Sequence, residues 1–309
     1  MIAAVDAHRP SKPSVGLACQ VVLPTGELAI AGDPKGADKR RALTVALHAA
    51  GARTALVVAN PGTGGFDGAL GARVLHDETT RTRLGDALVA LQRSEHHDEI
   101  EIDLEGMPTS AASDLVALVR AVRASADVGV PVSVDVHPKT VDDPGWDGPG
   151  SHDYAALAGA GAIVRLMTYD FSIGPVPPGP TTKASWVREV VAYARQKGVP
   201  PGQLDVGLPA YGYDFPLAKG ATPVPLRWGE IIALSRRTKA TAVRDPQSTP
   251  HFAYDAKDGH HQVWFDDATS LGAVLADLAP IAGDVRAVAV WGIAGADPKL
   301  IAALADAGL

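Results

Sequence analysis

The stretch His97-Asp98-Glu99-Ile100-Glu101-Ile102-Asp103-Leu104-Glu105 decides how this chain is read. Its apolar residues stand at 100, 102 and 104 and its carboxylates at 99, 101, 103 and 105, a period of two that belongs to a β-strand. Glu101, Asp103 and Glu105 therefore project from one face, successive carboxylates lying ~6.6 Å apart at a rise of ~3.3 Å per residue. On an amphipathic edge strand such a ladder is a solvated face without chemistry. Pointed into a barrel, neighbouring charges repel by about 2.5 kcal/mol at an effective dielectric of about 20. That is about two pKa units, enough to keep one carboxyl protonated near neutrality.

Outward from this strand, apolar β-type runs alternate with helical patterns. Strands are expected at 15–23, 54–59, 99–105, 130–137, 162–169, 204–210 and 287–293, with Ile2-Ala3-Ala4-Val5 as a weaker eighth. Helical patterns fall at Ala37–Ala50, Thr79–Arg93, Ser110–Ala124, Lys183–Lys197 and Ala268–Ile281. Strands alternating with helices imply parallel pairing through right-handed crossovers, and eight of them an α/β fold of the (β/α)8 TIM-barrel type. One link fits poorly: about eight residues separate the first two strands, too few for a covering helix. From about 213 to 264 the alternation breaks into a stretch rich in proline and charge. One helix, Trp228–Lys239, and a hairpin around Asp258-Gly259 are expected there. The organisation read from this is a single barrel over 1–309, with 213–264 as a small α+β insertion between strands seven and eight.

Composition narrows the classes. At 309 residues and 46% hydrophobic content the chain can build a large core. A formal charge of -7 argues against a nucleic-acid partner and against an anionic membrane surface. There is no apolar run of 18 residues to span a membrane. The one cysteine, Cys19, excludes an internal disulfide framework and reads as a small buried hydrophobe. Met1 to Ser14 has no apolar h-region and is not a signal peptide as it stands. An extracellular or cell-wall address is expected if a leader has been removed, and a cytoplasmic one otherwise.

In a parallel barrel the active site forms at the carboxyl ends of the strands. Strand four delivers Asp103 and Glu105 there, strand five Asp135 and His137, and strand six Met167-Thr168-Tyr169-Asp170. Strand seven delivers Tyr211-Gly212-Tyr213-Asp214 and strand eight Trp291. Aromatic faces stack on pyranose rings, and a proton donor beside ionised carboxylates is what glycoside cleavage requires. Trp291 or Tyr211 alone reads equally well as packing; five strands sending such ends to one rim do not.

These residues resemble glycoside hydrolase family 18, the chitinase-like hydrolases. Asp98-Glu99-Ile100-Glu101-Ile102-Asp103-Leu104-Glu105 is similar to the family's D-x-x-D-x-D-x-E motif and Leu166-Met167-Thr168-Tyr169-Asp170 to its M-x-Y-D. Gly207-Leu208-Pro209-Ala210-Tyr211-Gly212 resembles G-x-P-x-Y-G, and Val290-Trp291-Gly292 the eighth-strand tryptophan. Tyr211-Gly212-Tyr213-Asp214-Phe215 and Val263-Trp264-Phe265-Asp266-Asp267 resemble the spore-germination, cortex-lytic branch.

The resemblance implies cleavage of β-1,4 bonds next to N-acetylglucosamine-type residues, with retention and without metal or organic cofactor. Glu105 would be the acid/base, and the substrate's own 2-acetamido oxygen the nucleophile. Asp103 would hold the acetamido N–H and Tyr169 the acetamido oxygen. Glu101, Met167, Asp170, Tyr211 and Trp291 would complete the substrate-binding set. The implied partner is an amino-sugar polysaccharide or oligosaccharide, peptidoglycan before chitin; a monomer is expected, apart from the resemblance. One departure stands out: the family's middle aspartate is Glu101 here, one methylene longer, which puts the pH profile in doubt.

Two readings compete. A chitinase-like lectin would bind the same glycans without cutting, but non-catalytic members of the family typically lose the glutamate that Glu105 matches. A two-carboxylate barrel glycosidase would need a second carboxyl, with Asp170 and Asp214 as candidates. His96-His97 and His260-His261 lack metal-ligand spacing and read as solvated loop residues. Pro61-Gly62-Thr63-Gly64-Gly65 lacks the Gly-Lys-Ser/Thr of a phosphate loop and reads as a flexible loop near the rim. His137 is retained as a candidate substrate contact or a structural histidine.

Overall fold

The charge ladder is the fourth stave of a closed ring. The computed structural model describes residues 2–6, 13–30, 36–143, 145–174 and 176–306. Among these, the staves are β1 (Ile2–Asp6), β2 (Ser14–Val22), β3 (Arg53–Ala59), β4 (Glu99–Asp103), β5 (Val132–Val136), β6 (Ile163–Leu166), β7 (Leu204–Pro209) and β8 (Ala287–Trp291). Neighbours from β2 round to β8 pair in parallel, and β1 closes the ring between β8 and β2. The TIM-barrel expectation holds, with one difference. β1 runs antiparallel to both neighbours, Ile2 opposite Trp291 and Ala3 opposite Val15. That resolves the short first link: a parallel crossover needs a dozen or more residues, an antiparallel turn only a few.

Each stave splits its residues by parity. On β4, Ile100 and Ile102 are fully buried in the apolar layer formed with helices Glu78–Ser94 and Ala112–Ser125, through Leu84, Leu88, Leu115 and Leu118. Glu99 and Glu101 point the other way, into the barrel, and are also buried. Stave β3 presents the small Ala55, Val57 and Ala59 in register with Glu99, Glu101 and Asp103, which leaves room for the carboxylates. Arg165 of β6 fills the same layer. Its guanidinium lies 2.9 Å from Glu99, 2.5 Å from Glu101 and 3.3 Å from Asp205 of β7. Ser133 donates to Glu99 at 2.8 Å, and Arg286 reaches Asp205 at 2.5 Å.

Between β7 and β8 the chain builds a five-stranded antiparallel sheet and the helix Trp228–Thr238. The expected hairpin is present, Pro250–Ala256 turning into Gly259–Phe265. A second cluster, Ile231, Leu234, Phe252, Val263 and Phe265, packs this unit. No helix among the described residues is long and apolar enough to cross a membrane.

Two histidine readings are corrected. His97 is buried, its ring 3.1 Å from the Thr54 hydroxyl and 3.3 Å from Glu95, which is itself paired with Arg40. His261 is buried against Asp214 at 2.9 Å. Both are satisfied structural side chains rather than solvated loop residues. Residues 61–66 form a tiny hairpin, Pro61 opposite Phe66. The side chain of Cys19 lies outside the described residues; its backbone falls where β2 shifts register against β3.

Removing the cation from this interior leaves carboxylates buried without a counter-charge. Arg165→Leu should therefore lower unfolding free energy by about 3–5 kcal/mol in urea denaturation. A variant as stable as the parent would mean that Arg165 does not hold the interior together.

Candidate active site

The carboxyl ends of β3 to β6 and of β8 open into a cleft of about 780 Å³. Asp103, Glu105, Tyr169, Met167, Asp170 and Trp291 all line it, as do Asp135 and His137. Six of the eight expected site residues thus share one cavity. Glu101 lies beneath it, tied to Arg165, and Tyr211 lines an adjoining cleft instead.

Glu105 sits just past the end of β4 and is positioned through its backbone. Buried Asn60 accepts from the Glu105 N–H at 2.9 Å and donates to the Glu105 carbonyl at 2.9 Å. Asn60 follows β3 directly, so the clamp ties two neighbouring stave ends. The turn beyond is glycine-dependent: Gly106 has φ +70°, and a Cβ on Gly68 would fall 1.8 Å from the Gly106 carbonyl oxygen. The Glu105 carboxyl meets His137 Nε2 at 3.2 Å. His137 is held in turn, since its N–H donates to His152 Nδ1 at 3.0 Å and its carbonyl accepts from the Tyr154 hydroxyl. With Nδ1 accepting, His152 Nε2 donates to the Leu104 carbonyl at 3.1 Å.

Electrostatics follow from this crowding. Burial first, then the charge of neighbouring Asp103 and a hydrogen bond to it, push Glu105 up to about 9. Burial and the charge of Glu101 raise Asp103 to about 7. Asp135 is also pushed well up, by burial and by the charge of Glu101. Burial and Lys139 lower His137 to about 4, so it stands neutral beside Glu105. The upper cleft therefore stores protons on carboxyls rather than on histidine. Asp103 keeps one oxygen, Oδ1, buried without a partner.

The β6 end supplies the opposite wall. A Cβ on Gly207 would stand 2.7 Å from the Leu166 carbonyl oxygen and 3.1 Å from Cε1 of Tyr169, so only glycine lets that ring lie against β7. Asp170 adopts φ +62°, a strained conformation for a non-glycine residue, and accepts from the hydroxyls of Tyr211 at 2.6 Å and Tyr213 at 2.9 Å. Asp214, the other candidate second carboxyl, does not line the cleft; it accepts from Tyr254 and pairs with His261 inside the inserted sheet.

Several cleft residues escaped the sequence reading. Trp146 stands in a loop whose shape no periodicity encodes, and Trp186 in the first turn of a helix, away from any stave end. Phe66 comes from the small hairpin after β3. Asn60 carried a faint signal as a polar residue immediately following a fully apolar stave.

The raised carboxyls bind protons more tightly in the folded protein than in the unfolded chain. Stability should therefore fall as pH rises from the ordinary carboxyl range, near 4.5, through about 7 towards about 9. Glu105→Gln, which keeps a neutral amide, should flatten that decline and exceed the parent in Tm at about pH 8.5 while matching it at about pH 5. Parallel Tm–pH curves for the two proteins would contradict the raised value.

Comparison with known proteins follows the same geometry. The chain is 28% identical over 207 residues to the uncharacterized glycosylase YvbX of Bacillus subtilis (strain 168), covering 65% of this chain and 59% of that protein. It is 27% identical over 260 residues to the cortical fragment-lytic enzyme of the same organism, covering 81% of this chain and 59% of that one. The chain thus spans little more than half the length of these relatives. The crystal structure of the Bacillus cereus spore cortex-lytic enzyme SleL superposes with TM-score 0.81 at 23% identity, covering 95% of this chain and 67% of that chain. The model of the glycosyl hydrolases family 18 matches residues 64–294, which takes in the cleft from Phe66 to Trp291. The chain belongs to glycosyl hydrolases family 18.

Proposed function

We propose that this protein is a glycoside hydrolase that cleaves β-1,4 linkages next to N-acetylglucosamine-type sugars, with retention, through the substrate's own acetamido group. The observation that carries the reading is the Asp103–Glu105 pair: two carboxyls in hydrogen-bond contact at the floor of a wide aromatic cleft, one of which keeps its proton to about pH 9.

Each group has a part. Glu105 donates its proton to the glycosidic oxygen as the bond breaks, then takes one from water as the intermediate opens. Asp103, which lines the cleft, accepts from the acetamido N–H, and its negative charge stabilises the oxazolinium that forms. The Tyr169 hydroxyl, which has no protein partner among the described residues, donates to the acetamido oxygen and aims it at the anomeric carbon. Trp291 floors the sugar ring, and Met167 and Asp170 line its rim. Fixing nucleophile and leaving group in one line supplies the entropic share of the catalysis. The family membership and the cortex-lytic relatives favour peptidoglycan as the glycan, with chitin second.

Mass spectrometry of products from purified peptidoglycan and from N-acetylglucosamine oligomers tests the reading. Glu105→Gln should lose about 10²–10⁴ in kcat, the usual share of general acid catalysis. For the parent, kcat/KM should fall above about pH 9, where Glu105 loses its proton, and below about 7, where Asp103 gains one. Binding of both glycans without cleavage of either would turn the reading to a lectin.

A further inference from the structure

The catalytic cleft does not end at Trp291. A second cleft of about 690 Å³ adjoins it, and Asp170 and Trp291 line both. Its walls come from the inserted unit, through Arg227 and Glu230, and from the turn after β8, through Gly292 and Gly295. We infer that this second cleft is a subsite for a sugar bearing a carboxylate substituent, with Arg227 as its counter-ion. The inference deepens the proposed function and rests on it, since the glycan that occupies the first cleft is the one that crosses Trp291 into the second.

Three observations carry it. First, the Arg227 guanidinium has neither a hydrogen bond nor an ion pair among the described residues, although it lines a cavity large enough for a sugar. What sets Arg227 apart from the other exposed arginines is its place: it lines a cleft that shares Asp170 and Trp291 with the catalytic one. Second, the side chain has a seat. A Cβ on Gly295 would fall 2.9 Å from Cδ of Arg227 and 3.1 Å from Cγ, so the glycine makes room for the aliphatic stem across the cleft wall. Third, each negative group that shares the cleft already accepts hydrogen bonds from the protein through one of its oxygens, and neither is paired with Arg227's guanidinium. Glu230 accepts from the Arg227 backbone N–H at 2.8 Å, capping the helix that begins at Trp228, and Asp170 accepts from two tyrosine hydroxyls. The available donor in this cleft is thus a planar guanidinium, the group best suited to a carboxylate. A neutral N-acetylglucosamine polymer offers it hydroxyl and amide oxygens but no anion. A glycan strand with lactyl ether or peptide carboxylates does.

The test uses the full chain carrying Glu105→Gln, so that nothing is turned over, and isothermal titration with three tetrasaccharides. One is the neutral N-acetylglucosamine tetramer. The second alternates N-acetylglucosamine with N-acetylmuramic acid, its lactyl carboxylates free. The third carries stem peptides, which convert the lactyl groups to amides and place the carboxylates on the peptide. Adding Arg227→Gln should weaken one carboxylate-bearing ligand by about five- to ten-fold, the scale of one accessible charge-assisted hydrogen bond, and the neutral tetramer by less than about two-fold. Arg227→Lys should recover part of the loss. Whichever charged ligand responds identifies the carboxylate. Equal weakening of charged and neutral ligands, or of none, overturns the inference. Tight binding of the neutral tetramer alone would overturn it while leaving the proposed function standing, whereas binding of none of the three would sink both.

Discussion

One buried guanidinium governs the interior of this barrel. Six carboxyls project inward from or just beyond the staves (Glu99, Glu101, Asp103, Glu105, Asp135 and Asp205), and two guanidinium groups, Arg165 and Arg286, answer them. An isolated buried carboxylate is too costly to persist, so each must be paired or protonated. Those nearest the arginine are paired: Glu99, despite its burial, is held below the ordinary range by Arg165 and Ser133. Glu105, nearer the cleft, keeps its proton instead, raised by burial and by the charge of Asp103. The result is a gradient along one strand, negative charge at the barrel floor and acidic protons at the rim. The same constraint holds the fold together and loads the proton donor.

Glu101 sits at the turning point of that gradient. Its side chain meets Arg165 below, while its charge helps raise Asp135 alongside and Asp103 above. Glu101 thereby binds the motif to the floor cation, and Asp135 stands beside it as a second buried carboxyl that also lines the cleft. The other motif positions earn their place by packing as much as by chemistry. Gly207 admits the Tyr169 ring, and Gly212 lets the inserted sheet approach, since a Cβ there would fall 2.3 Å from the Trp264 carbonyl oxygen.

The strand and helix order was legible because parity and apolar spacing are local properties. The seven staves from β2 onward fall within a few residues of where alternation put them, and Trp228–Thr238 ends where Lys239 turns to φ +57°. The direction of β1 was not legible, because pairing sense is a long-range property, although the short link was a hint. At the site, Glu105, Asp103, Tyr169 and Trp291 could be named because each sits at a stave end, where a period of two fixes the side a residue faces. Trp146, Trp186 and Asn60 could not, since their contribution depends on how loops and helices fold back over the rim. The histidines at 97 and 261 were misread for the same reason: their partners, Thr54 and Asp214, are remote in sequence.

The protonation of Glu105 is the claim on which both the stability argument and the chemistry depend. Carbon-13 NMR of the side-chain carboxyls, with Glu105→Gln to assign the resonance, reads it directly. A Glu105 carboxyl carbon that stays in its protonated position through neutrality and titrates near pH 9 would bear out the gradient. One that titrates near 4.5, the value of an unperturbed glutamate, would mean that the interior does not hold a proton there and that the acid must be found elsewhere.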